Sequence, residues 1–116
     1  MTPARKAATS QDELLKGTLD MLILKTLTVQ PMHAYAIVRH IERLSGGVFN
    51  VEHGSLYPAL ERLLRNGLVL GKWGESPTGR RARYYTITAA GRRRLGEKAS
   101  AFDRILAGIQ GVMNGT

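Results

Sequence analysis

The order of hydrophobic periods constrains this chain more than anything else in it: three stretches of helical spacing, two of alternating spacing around a turn-rich loop, then one more helical stretch. Leu15, Leu19, Leu22, Ile23 and Leu27 give the first helix an apolar face. Ser10 and Glu13 have capping-box spacing, although Gly17 weakens the helix and moves its expected regular start toward Thr18. Pro31 closes it. Tyr35, Ala36, Ile37, Ile41 and Leu44 predict a second helix from Met32 to Ser45, stopped by Gly46-Gly47. After a short apolar connector (Val48, Phe49, Val51), Leu56, Leu60, Leu63 and Leu64 predict a third helix over His53 to Asn66. Pro58 lacks a backbone donor and is expected in its first turn; Gly67 is placed to cap its end.

Leu68 to Trp73 reads as a strand, and Gly74 to Gly79 as a turn-rich loop. Arg83 to Ile87 is a second strand, with Tyr85 and Ile87 on one face and Tyr84 and Thr86 on the other. Together they make a hairpin with a long, mobile tip. Thr88 is a good N-cap for a last helix. Leu95, Ala99, Phe102, Leu106, Ile109 and Met113 follow there at heptad spacing, widened by Ile105 and Val112. Such a stripe either folds back on the chain's own core or pairs with a second copy. Its extent beyond an already complete small domain favours a dimer interface.

The predicted fold is therefore mostly α with a small β-hairpin, a winged helix-turn-helix plus a C-terminal dimerisation helix. Residues 1–10 form a flexible N-terminal tail, 11–88 the DNA-binding domain and 89–116 the dimerisation helix.

Charge agrees with that reading. Net charge is +8 on 116 residues, and it is uneven. Residues 1–60 hold 6 Lys and Arg against 5 acids, whereas residues 61–116 hold 11 against 4. Arg80, Arg81, Arg83, Arg92, Arg93 and Arg94 fall in one stretch without an acid. Guanidinium groups grip phosphate bidentately, so the excess points to a polyanion, although a merely solvated basic face has the same composition. Zero Cys excludes a disulfide scaffold, a zinc-thiolate site, a cysteine nucleophile and thiol-based redox sensing. No apolar run is long enough to span a membrane, and the first ten residues have no apolar signal segment, so a cytoplasmic protein is expected.

In a winged helix the third helix enters the major groove and the hairpin is the wing. Opposite the third helix's leucines lie Ser55, Ala59, Arg62 and Asn66. Ser55 and the free N–H groups of the first turn suit a phosphate or a base edge. Arg62 suits either a phosphate or a guanine. Tyr57 flanks this face or packs between helices, and Tyr35 offers its hydroxyl to a phosphate. On the wing, Arg81 and Arg83 share a strand face, and Arg80 sits in the loop. Arg92, Arg93 and Arg94 oppose the dipole at the start of the last helix, which hints at an electrostatic use, with solubility as a sufficient explanation. His33, His40 and His53 share no helix face and have no ligand spacing, so no metal site, cofactor or catalytic residue is expected.

The chain resembles the PadR-like transcriptional regulators from about Leu14 to Leu95. The resemblance rests on Leu15-Lys-Gly-Thr-Leu-Asp-Met-Leu-Ile-Leu24, Pro31-Met-His-Ala-Tyr-Ala-Ile37 and Val51-Glu-His-Gly-Ser-Leu-Tyr-Pro-Ala-Leu60. Trp73-Gly-Glu75 and Arg80-Arg-Ala-Arg-Tyr-Tyr-Thr-Ile-Thr-Ala-Ala-Gly91 continue it. The resemblance implies a homodimeric repressor on a pseudo-palindromic operator of double-stranded DNA. It further implies that Tyr35, Ser55, Tyr57 and the wing arginines lie at DNA. Some such regulators respond to a small-molecule effector at the dimer interface, where Phe102 is this chain's candidate contact. Two departures stand out. Ala34 replaces the glycine usual before the tyrosine of the second helix, and would be strained if that backbone needed a positive φ. The C-terminal part holds one helix, not the larger helical domain of longer members.

Two other readings compete. A winged helix can be a protein-interaction module with no specific DNA site. A membrane-surface binder fits less well, because the arginines lie on a hairpin and not along one helix face.

Overall fold

The computed structural model describes residues 10–116, with side chains from Thr18 onward, His53 excepted. The elements in order are α1 (Ser10–Leu27), β1 (Met32–His33), α2 (Ala34–Leu44), α3 (His53–Arg65), β2 (Val69–Glu75), β3 (Arg81–Ile87) and α4 (Ala89–Asn114). The sheet is antiparallel with order β1-β3-β2. Residues 1–9 of the tail expected over 1–10 lie outside the described residues, as does the capping side chain of Ser10, whose backbone already belongs to α1.

One core joins the helices to the sheet. Leu19, Ile23, Leu24 and Leu27 of α1 meet Ile37, Val38 and Ile41 of α2, and Leu56, Ala59, Leu60 and Leu63 of α3. Val69, Tyr85 and Ile87 close it from the sheet. Thr26 is the buried polar side chain of this core, and its hydroxyl donates to the Leu22 carbonyl at 2.8 Å.

Where the second helix is expected to begin, Met32 and His33 instead extend and pair with Tyr85 and Tyr84 of β3. The hairpin thereby becomes a three-stranded sheet. His33 stops the extension by capping α2: its Nδ1 accepts from the Ala36 N–H at 3.2 Å. Ala34 opens the helix, is buried, and does not have a positive φ, so it carries none of the strain its place in the sequence raised. Gly46 and Gly47, at φ 64° and 83°, turn the chain out of α2.

Pro58 departs from the expected position. With α3 starting at His53 it is the sixth helical residue, in the second turn, and forfeits the hydrogen bond to the Gly54 carbonyl. Gly54 is exposed, so water can satisfy that oxygen. Gly67 ends α3 as expected, at φ 69°, with the Leu68 N–H returning to the Leu63 carbonyl at 2.9 Å.

The wing is longer and its tip tighter than the sequence predicts. Both strands have seven residues. The loop over residues 76–80 is closed by the Ser76 N–H donating to the Arg80 carbonyl at 2.7 Å and the Gly79 N–H donating to the Ser76 carbonyl at 2.8 Å. The tip is thus shorter than expected, five residues closed by two backbone hydrogen bonds.

The join between wing and α4 depends on one small residue. Thr88 accepts from the Gly91 N–H at 3.0 Å, as an N-cap, and donates its hydroxyl to the Gly67 carbonyl at 2.8 Å. Gly91 is buried, and a Cβ there would collide with the Leu68 carbonyl oxygen and the Ile87 side chain. The obstruction includes backbone, which cannot rotate away. Gly91→Ala is expected to cost the upper part of the roughly 1–3 kcal/mol typical of overpacking, read as a lowered urea midpoint with unchanged slope. An unchanged midpoint would show that the α4 start is more loosely seated.

Candidate nucleic-acid interface

The site grows out of the sheet's core face. By pleat alternation Arg81, Arg83, Tyr85 and Ile87 share one face of β3. Register sets Val69, Gly71, Trp73 and Glu75 of β2 beside them. At the inner end this face is apolar and buried, at Val69, Tyr85 and Ile87. Toward the tip it passes beyond the helices, and the same alternation now presents Arg83, Trp73 and Arg81. Gly71 makes the transition possible, because a Cβ there would collide with the Arg83 guanidinium lying over it. Arg83 also stands 5.9 Å from the Tyr85 ring centroid, and its Nε is buried with no hydrogen-bond partner among the described residues. Arg81 is exposed and stacks 4.9 Å over the Trp73 ring.

Between the wing and the starts of α2 and α3 runs an open groove of about 1040 Å³. Tyr35 and Arg39 enter from α2, Tyr57 and Glu61 from α3, and Trp73, Arg80, Arg81 and Arg83 from the wing. Arg39 donates to the Tyr35 hydroxyl at 2.9 Å, fixing that ring at the groove edge. Burial pushes the Tyr85 hydroxyl pKa up; the Arg83 guanidinium opposes this and the Glu61 carboxylate adds to it. Four arginines, four aromatic rings and one acid therefore share one concave surface, suited to a phosphate backbone with groups that can stack or donate alongside.

Of the predicted DNA-binding residues, Tyr35, Tyr57, Arg80, Arg81 and Arg83 meet in this groove. Three do not. Ala59 is fully buried in the core and cannot reach a ligand. Arg62 lies on the other flank of α3, where it donates to Asp20 of α1 at 2.8 Å. Both partners of that pair are partly exposed, so it contributes little stability and mainly fixes the arginine. Ser55 is exposed outside the groove lining, and its N–H, expected to be free, donates to the Glu52 carbonyl at 3.0 Å. Sequence reasoning misses Arg39, Glu61 and Trp73 in the groove, and exposed Arg65 on α3.

α4 divides in two. Leu95, expected at a dimer interface, packs partly buried against the chain's own core. From Phe102 onward every residue is exposed. Phe102 and Leu106 are each 39% exposed, Ile105 61% and Ile109 54%, and Met113 lies beyond them. Among the described residues no helix is long and apolar enough to cross a membrane.

Three helices, a paired wing and a basic groove between wing and third helix define a winged helix-turn-helix. Comparison with known proteins agrees. Residues 23–97 match the transcriptional regulator PadR-like family, so the chain belongs to that family. A PadR-like transcriptional regulator of Bacillus cereus is similar, with TM-score 0.77 and 27% identity, covering 90% of this chain and 99% of that one. A transcriptional regulator from Clostridium thermocellum aligns with TM-score 0.78 at 26% identity, covering 84% and 95%. A PadR family transcriptional regulator from Eggerthella lenta aligns with TM-score 0.74 at 30% identity, covering 90% and 88%. The family and these structural relatives are transcriptional regulators and not enzymes, and DNA-binding regulation is the class of function to which this chain belongs.

Proposed function

We propose that the chain is a homodimeric, sequence-specific repressor that binds a pseudo-palindromic operator. Residues 11–88 hold DNA, with α3 in the major groove and the wing arginines along the phosphates. Residues 89–116 pair two chains through α4. The observation that carries this reading is the convergence of Tyr35, Tyr57, Arg80, Arg81 and Arg83 on one groove beside α3. The Arg83 guanidinium lines the groove and forms no salt bridge among the described residues, so its charge is available to a phosphate. The uncovered apolar half of α4 supports pairing, because a stripe of that size needs a partner in water. Two copies bring twice the +8 charge, and two wings for two half-sites.

The test is a gel shift with the protein's own promoter region at moderate salt, on protein shown to be folded and dimeric. A discrete shift that resists excess nonspecific duplex is expected. The absence of any shift contradicts the proposal and favours a protein-binding role for the same groove.

A further inference from the structure

We propose that Glu61 is a specificity-determining residue that accepts a hydrogen bond from the exocyclic amino group of cytosine in the major groove. The inference rests on the reading of α3 as the DNA-reading helix.

Glu61 is the acid of the groove, facing a surface to which Arg39, Arg80, Arg81 and Arg83 all contribute. It is exposed, and forms no salt bridge among the described residues, either with those arginines or with Arg65 one turn further along α3. Asp20 shows the contrast: the acid on the other flank is tied to Arg62 at 2.8 Å. A free carboxylate among phosphates raises the energy of every DNA complex unless something in the groove donates to it. The groove's arginines form no salt bridge with it among the described residues, and phosphates, guanine O6 and N7, and thymine O4 are all acceptors. The amino groups of cytosine and adenine remain. Cytosine N4 is the better match, since adenine places the N7 lone pair next to its amino group, against the second carboxylate oxygen. Position supports the assignment. The buried face of α3 is Leu56, Ala59, Leu60 and Leu63, and Glu61 lies with Pro58 and Arg65 on the outward side, where a groove-bound helix meets base edges. The carboxylate thus weakens binding to every sequence lacking the amino group, and discrimination arises as much from that repulsion as from the bond.

Sites are selected from random duplex DNA by the wild-type chain and by Glu61→Gln and Glu61→Ala, each verified to melt like wild type. The wild-type sites are expected to show a required C·G pair at one position of each half-site. Changing that pair should weaken wild-type binding by roughly 5- to 150-fold. Glu61→Ala should lose the preference at that position alone, Glu61→Gln should relax it to admit adenine there, and both should bind nonspecific duplex more tightly than wild type. Variants that bind all DNA more tightly while keeping every base preference would overturn the proposal, reducing Glu61 to a general repulsive charge. Unchanged binding of both kinds would overturn it as well. If the wild-type chain selects no site, the DNA-reading assignment of α3 falls with it; if it selects one that the variants share, only the role of Glu61 falls.

Discussion

Replacing Leu106 and Ile109 together with aspartate should leave a folded winged helix that no longer pairs and that binds its operator at least about a hundredfold more weakly. The folded part of the expectation follows from exposure. Both residues are exposed and neither belongs to the described core or packs against it, so charging them removes no contact of that core. The pairing part follows from apolar area. A fully buried side chain of this kind is worth about 1.5–3 kcal/mol, and covering the exposed parts of Phe102, Ile105, Leu106 and Ile109 on two chains supplies a gain of the same order as the cost of association, so losing two of the four is decisive. The affinity part follows from linkage. Once one half-site is held, the second wing and α3 bind at a high local concentration. Breaking that link costs about 10²–10⁴ in affinity even when every protein–DNA interaction within a half-site survives. Sedimentation and operator titration check the two effects. A variant that stays dimeric would place the interface elsewhere.

Arg81→Ala with Arg83→Ala should weaken binding to all sequences alike and flatten the dependence of log affinity on log salt by about 2, one for each phosphate no longer neutralised. The two single variants should differ. Arg81 is exposed and stacks on Trp73, so its removal should change affinity and leave melting nearly unchanged. Arg83 fills the space above Gly71 and packs on Tyr85, so its removal should lower stability as well. A double variant with wild-type affinity and salt slope would remove the wing from the DNA interface.

Much of this architecture is legible from spacing. The periods locate all four helices and both wing strands, Thr88 and Gly67 act as the caps their positions predict, and the basic stretch divides between the wing and the first turns of α4. What spacing misses has definite causes. Two residues of β1 are too few to display a period, and they extend only because β3 offers them a partner. The leucine pattern sets the phase of α3 with Leu64 as core and Ala59 as surface. The structure reverses the weight of the two, because close packing against other elements selects the small side chain and leaves the leucine at the edge. With Leu56, Ala59, Leu60 and Leu63 as the buried face, the outward face becomes Gly54, Pro58, Glu61 and Arg65, a phase from which Glu61 can be found in the sequence alone. Arg62 carries no local sign of its partner, because Asp20 is 42 residues away in the chain. Trp73 and Arg39 become part of the site only when the fold brings wing and α2 to opposite walls of one groove.

In the proposed complex two copies of this chain read two half-sites with α3 while their wings hold the phosphates. Selection of bound fragments from a random duplex library by the wild-type chain tests it most directly. Enrichment of a sequence with approximate two-fold symmetry is expected, its half-sites one helical turn apart or a multiple of it. Enrichment of no sequence, or of one without symmetry, would contradict it.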